Sequence, residues 1–333
     1  MHRPRTHLLG LTAATLFSLA GMAHGQTATW IGGSSTNWSD PANWSPPVVP
    51  LGPSFDVIIP AGVSIMIDAG VPASFSLNSL NLNATATLTV SPSRSVMLTE
   101  GTISGRIVAQ SNAVFDATAP GVEFTGGPRF AASGGGIIRA GATTYSTATN
   151  NATIFSSSGS GSLLDLSSLE SFVKLDATFE NTATILASSE GAINLSGLQT
   201  VDVSGGGESV RFRAESGGTI DLGSLQTTGG VGRVRFESTG AGSLLDVDAL
   251  TTAVNTDLTP TSGGVINATG LTSLTNGSIT LNGTGTLNLG TLSNIDGTRF
   301  TISGGESFGT GVVTDTTYST ATNNATIFSS SGS

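Results

Sequence analysis

The chain has 333 residues, 38% of them hydrophobic and only 10% charged, with 45 glycines and a formal net charge of −10 from 12 basic and 22 acidic side chains. It has no cysteine, and its three histidines (His2, His7, His24) all lie within the first 25 residues. Without those residues the chain lacks the parts for Ser-His-Asp and Cys-His nucleophile systems, imidazole general bases and His/Cys zinc sites. Sparse cations on an acidic chain also argue against nucleic acid or an anionic membrane as partner.

Residues 1–25 read as a secretory signal peptide: Arg3 and Arg5 open it, an apolar run follows from Leu8 to Ala20, and a small-x-small exit stands at Ala23-His24-Gly25. The mature chain is expected to start at Gln26, with cleavage after Ala23 as the alternative, and to carry a net charge of −12 with Lys174 as its one lysine. No later stretch reaches the roughly 18 to 20 uninterrupted apolar residues of a membrane span. The expected location is therefore secreted, extracellular or on the cell surface. A chain of this length buries enough surface to fold without disulfides.

Residues 26–60 form a distinct segment that holds all three tryptophans (Trp30, Trp38, Trp44) and a proline-rich hinge at Pro46, Pro47, Pro50 and Pro53. Its phrase W-x-G-G…N-W-S-D-P-A-N-W, followed by the prolines and D-V-I-I, resembles the mature N-terminus of bacterial secreted parallel β-helix surface proteins, of the autotransporter-passenger and adhesin kind. The resemblance implies a β-helical surface protein and names no cofactor and no catalytic residue. An open β-helix end exposes strand edges that invite aggregation, so the expected role of the three indoles is to cap it, as terminal repeats do in solenoids. The competing role is an aromatic platform for sugar rings.

Residues 61–333 repeat. "TATILASSEGAINLSGL" at Thr182, "SVRFRAESGGTIDLGSL" at Ser209 and "RVRFESTGAGSLLDVDAL" at Arg233 share a short alternating strand, a Ser/Gly turn, then Leu or Ile, Asp or Asn, Leu, two spacers and Leu. Looser copies align the apolar positions Phe130, Phe155, Leu186, Phe212, Phe236, Leu258, Leu281, Phe300 and Phe328, roughly two dozen residues apart. Val210, Phe212 and Ala214 alternate with Arg211, Arg213 and Glu215, the period of a strand with one buried face. One such strand cannot bury its face alone, so the copies must stack. The predicted fold is all-β: a right-handed parallel β-helix, a β-solenoid with two or three short strands per coil and an N-terminal cap. A leucine-rich repeat is the nearest alternative, since "LDLSSL" and "INLSGL" echo its L-x-L-x-x-L phrase, but no helix-forming half accompanies the strand.

Three features bear on chemistry. Asp165, Asn194, Asp221, Asp246, Asn267 and Asn288 recur at one repeat position, where stacking would make a ladder; a corner role is expected over calcium binding or a glycosidase pair, because half are neutral Asn. Asp246 and Asp248 stand two apart, as paired acids of a pectinase-like hydrolase would, yet the His, Arg and Lys phrases of such enzymes are absent, and Lys174 has no evident acidic constellation for a lyase. Arg211, Arg213, Arg233 and Arg235, with Glu215 and Glu237, predict an outward ion-pair ladder that is also the densest cationic spot for an anionic glycan. The Gly-rich phrases are turns, not phosphate loops. The sequons at Asn83, Asn151, Asn267 and Asn324 are expected by chance in a Thr-rich chain.

The expected function is a structural, adhesin-like protein that displays a polar surface to extracellular polysaccharide or matrix, with no catalytic, cofactor or metal residues and candidate glycan contacts at Trp30, Trp38, Trp44, Arg211, Arg213, Arg233 and Arg235. The alternative is a polysaccharide lyase or glycoside hydrolase on the same fold. The stretch "TTYSTATNNATIFSSSGS" occurs identically at 143–160 and 316–333. That predicts a second, longer period of duplicated coils, and a chain cut within the later copy.

Overall fold

The computed structural model describes residues 25–33, 35–149, 151–175, 181–303, 310–314 and 328–331. Residues 1–24 of the expected signal peptide, and all of the later eighteen-residue copy except 328–331, lie outside these residues. Strands account for nearly all regular structure, and the only helical turn among the described residues is Pro41–Asn43. The strands stack in parallel as a β-solenoid of about 11 turns with about 23 residues per coil. At one strand spacing per coil the stack is about 50 Å long.

One coil shows the plan. Ser209–Glu215 lies in one sheet, Thr219–Asp221 in the next and Thr227–Gly230 in a third, after which Arg233–Thr239 falls in register beside Ser209–Glu215. The alternation predicted here holds, with Val210, Phe212 and Ala214 buried and Arg211, Arg213 and Glu215 turned outward. Inside, aromatic rings stack from coil to coil: Phe130 on Phe155 at 5.7 Å, Tyr145 on Phe172 at 5.2 Å and Phe212 on Phe236 at 5.3 Å.

Two corners explain the repeat phrase. After the long strand the chain turns through Ser216 (φ 53°) and Gly217 (φ 82°). The next residue, Gly218, passes so near the preceding coil that a Cβ there would lie 2.2 Å from the Ala187 carbonyl oxygen. Only glycine fits that approach. At the following corner the Asp221 carboxylate accepts from the Gly223 N–H at 2.9 Å, while Leu222 and Leu225 both turn into the core. The L-x-L-x-x-L phrase is thus a corner of a three-sided coil, not half of a leucine-rich repeat.

Two aligned positions need correction. Phe155 pairs across to Ile185, not Leu186, because a bulge at Ile154 shifts the register of its strand. Leu186 stands half-buried in register with Arg213. Likewise Ile279, not Leu281, continues the column between Leu258 and Phe300; Leu281 is buried two residues along the same face, beside Ile302.

In the first coils the faces are less divided. Ser74–Leu82 and Ser95–Ile103 run through a corner as single strands. Gly101 (φ 132°) lets the later of these strands bend there, where any Cβ would meet the Leu80 carbonyl oxygen at 2.3 Å.

Residues 26–45 lie at the starting edge of the stack. Gln26–Trp30 runs parallel to Gly52–Ile59, which is already a strand of the first coil, and Trp44–Ser45 pairs antiparallel on the outside. The edge of Ser64–Ile67 in the second sheet is covered by Thr36 to Trp38 through Met66, whose N–H donates to the Thr36 carbonyl and whose carbonyl accepts from Trp38.

Candidate functional site

The three tryptophans are 4%, 0% and 1% exposed at Trp30, Trp38 and Trp44. Trp44 packs edge-on against both Trp30 (5.1 Å) and Trp38 (4.7 Å), and Trp38 reaches Phe75. Both inner indole N–H groups are used, Trp38 donating to the Pro50 carbonyl and Trp44 to the Trp38 carbonyl. Rings buried in this way leave no open face for a sugar, so the platform role for these indoles is not carried by the geometry.

The arginine cluster of the Ser209–Glu215 and Arg233–Thr239 strands is assembled as the spacing predicts, with Arg211 in register with Arg235. Each guanidinium faces a carboxylate: Arg211 with Glu237 at 3.1 Å, Arg213 with Glu215 at 2.8 Å, and both Arg233 (2.6 Å) and Arg235 (3.8 Å) with Asp257. Such half-exposed pairs contribute about 0–1 kcal/mol each. Their charge is largely spent within the patch.

The Asp/Asn ladder is in register throughout, from Asp165 through Asn194, Asp221, Asp246 and Asn267 to Asn288. Its oxygens hold corners. Asp165, Asn194, Asp221 and Asp246 each accept from the N–H two residues on, and Asn194 and Asn288 also donate to the preceding rung. Burial, with the nearby charges of Asp248 and Asp221, raises the Asp246 carboxyl above its ordinary value despite the Asp248 N–H. Asp248 lies past the strand end, where its carboxylate accepts from the Thr269 N–H and hydroxyl. Among the described residues, no three His, Cys, Asp or Glu side chains converge as metal ligands.

A different site emerges one-third of the way along the stack. Arg106 and Arg129 begin consecutive strands of the second sheet, in register with each other and with Thr87 before them. Both are exposed, and among the described residues neither meets a carboxylate. They border an open concavity of about 430 Å³ shared with Thr85, Thr87, Ser104 and Thr149. Two like charges one strand spacing apart repel by about 1 kcal/mol even in water. An anion between them would relieve that and accept bidentate hydrogen bonds. Sequence reading missed this pair because each arginine stands alone in its own coil; the signal was the R-x-[VA]-A strand start shared by "RIVA" and "RFAA".

Compared with known proteins, the chain matches no family model, no curated protein and no solved structure. Among the described residues no helix is long and apolar enough to cross a membrane.

Proposed function

We propose that the chain is a secreted or cell-surface adhesin-like solenoid that holds acidic polysaccharide at the Arg106/Arg129 concavity. The observation that carries this reading is a pair of in-register guanidiniums, free of carboxylates among the described residues, on a hydroxyl-lined hollow of a chain whose net charge is −10. On an acidic protein an unneutralised cationic hollow selects anionic sugars, because neutral glycans gain nothing from the charge and the surrounding surface repels anions elsewhere. The N-terminal leader and the W-x-G-G…N-W-S-D-P-A-N-W phrase support an extracellular location and a kinship with bacterial β-helical surface proteins. A stack of about 11 coils supplies the rigid, extended support that display requires.

The test is a glycan array probed with the wild-type chain and with R106A/R129A, followed by a reducing-end assay on each bound polymer. The account expects uronate- or sulfate-bearing glycans to be retained, lost in the double variant, and released unshortened. Oligosaccharide release would instead establish the polysaccharide-degrading reading.

A further inference from the structure

Lys174, the only lysine of the chain, is buried rather than displayed. It ends the inward-facing row of the Ser171–Lys174 strand, is 0% exposed, and its ammonium meets the Glu208 carboxylate Oε2 of the next coil. Its Nζ also donates to the Leu175 carbonyl at 3.1 Å. Glu208 is 2% exposed, and its other oxygen, Oε1, is buried without a hydrogen-bond partner. A buried charge pair with an unsatisfied oxygen is a poor way to stabilise a β-helix, since an apolar pair of similar volume does as well or better. Neighbouring coils put Thr147 and Val203 at the lysine's position.

A third polar group shares this corner. Asn181 is 6% exposed and stands one residue before the register pair Thr182 and Ser209, which places it beside Glu208, the residue before Ser209. The Ser209 N–H donates to the Asn181 carbonyl at 2.8 Å, and the alternation of the two strands turns Asn181 and Glu208 the same way, inward. Lys174 and Asn181 therefore belong to one coil, and Glu208 of the next coil meets the lysine amine with its carboxylate and stands beside Asn181 in register. A hollow of about 500 Å³ lined by Asn181, Glu208 and Ser209 opens this corner to solvent.

We propose that Lys174 and Asn181 join in an intramolecular isopeptide bond, with Glu208 as the proton carrier. The Lys174 ammonium gives a proton to Glu208, and the freed amine attacks Asn181 Cγ. Glu208 then moves a proton from the attacking nitrogen to Nδ2, the Cγ–Nδ2 bond breaks as the Nζ–Cγ amide forms, and nitrogen leaves through the hollow. An ammonium and a primary amide become a secondary amide and NH4+, so charge balances, nothing is oxidised or reduced, and Glu208 ends as it began.

With a single lysine, a lysine-specific endoprotease has one place to cut the denatured full chain. The expected result is no cut in the wild type. The tryptic segment from Ala140 to Arg211 should stay whole across Lys174, about 17 Da lighter than its sequence, the mass of ammonia. E208Q, shown by circular dichroism to keep its β-sheet signal, should be cut at Lys174 and carry its full mass. Cleavage of the wild type into two fragments would overturn the proposal. So would a deficit of about 18 Da, which is loss of water and places the bond on a carboxylate, or a folded E208Q that still resists cutting.

Discussion

At the scale of single residues, two carboxylates show how the same group is made to stabilise in one place and cost in another. Burial alone would raise the Asp68 carboxyl, but N–H groups of Ser39 (3.0 Å) and Gly70 (2.7 Å) donate to it and hold it below its ordinary value of 3.8. Its contribution is present above the unfolded-state value and is lost as pH falls through the lower folded value. D68N should therefore destabilise at neutral pH by about 1 kcal/mol, with the difference from wild type shrinking below about pH 4 in denaturant titrations run as a pH series. Asp246 has the opposite sign. Its carboxyl is raised, so ionisation at neutral pH costs the folded state, and the cost disappears as pH falls to 3.8 and below. D246N keeps the corner hydrogen bond, as Asn194 does at its rung, and should be neutral to slightly stabilising at pH 7 by up to about 0.5 kcal/mol. Loss of stability in D246N at neutral pH would show that a negative charge is needed there.

At the scale of elements, the coil was legible where chemistry repeats at a fixed offset. The alternation in "SVRFRAE" and "RVRFE", the Gly-rich turn and the Asp-Leu-x-x-Leu corner each state a local geometry that the neighbouring copy repeats. Gly218→Ala tests the first corner: its methyl would meet the Ala187 carbonyl, and a loss of about 1–3 kcal/mol should appear as a lower thermal midpoint. Leu225→Ala tests the second, with a loss of about 2–5 kcal/mol from the cavity left in a fully buried site. What was not legible depended on register. A bulge at Ile154 moves the Phe155 column by one residue, and no local pattern announces it. Lys174 has no evident acidic partner in the sequence until its strand shows it in the buried row against Glu208. Arg106 and Arg129, about one coil apart in sequence, become neighbours only when the coils are laid in register.

The literal repeat also finds its place at this scale. Phe155 lies in register with Phe130 as Phe328 does with Phe300, so "FSSS" of each copy pairs with an equivalent strand, "RFAAS" or "RFTIS". A strand start that accepts the same partner twice supports duplication of whole coil groups.

At the scale of the molecule, a solenoid must finish its edges and present a face. Residues 26–45 lie over the edges of two sheets at once, through Gln26–Trp30 on Gly52–Ile59 and through Trp38 on Met66. Removing residues 26–50 would leave those strands unpaired and strip the indoles from Phe75. Size-exclusion chromatography across a concentration series should show the truncated chain self-associating where the longer one stays at a constant size. A truncated chain that remained at constant size would place the edge protection elsewhere. Facing outward, the four arginines Arg211, Arg213, Arg233 and Arg235 are largely offset by three acids of their own, Glu215, Glu237 and Asp257, whereas among the described residues Arg106 and Arg129 meet none. Charge count alone favoured the former; charge balance favours the latter.

The measurement closest to the central claim is a calorimetric titration of a uronate polymer, such as polygalacturonate or alginate, into the wild type, R106A/R129A and R211A/R235A. The account predicts binding that weakens with added salt, vanishes in R106A/R129A and persists in R211A/R235A. Undiminished binding in R106A/R129A, or loss confined to R211A/R235A, would contradict it.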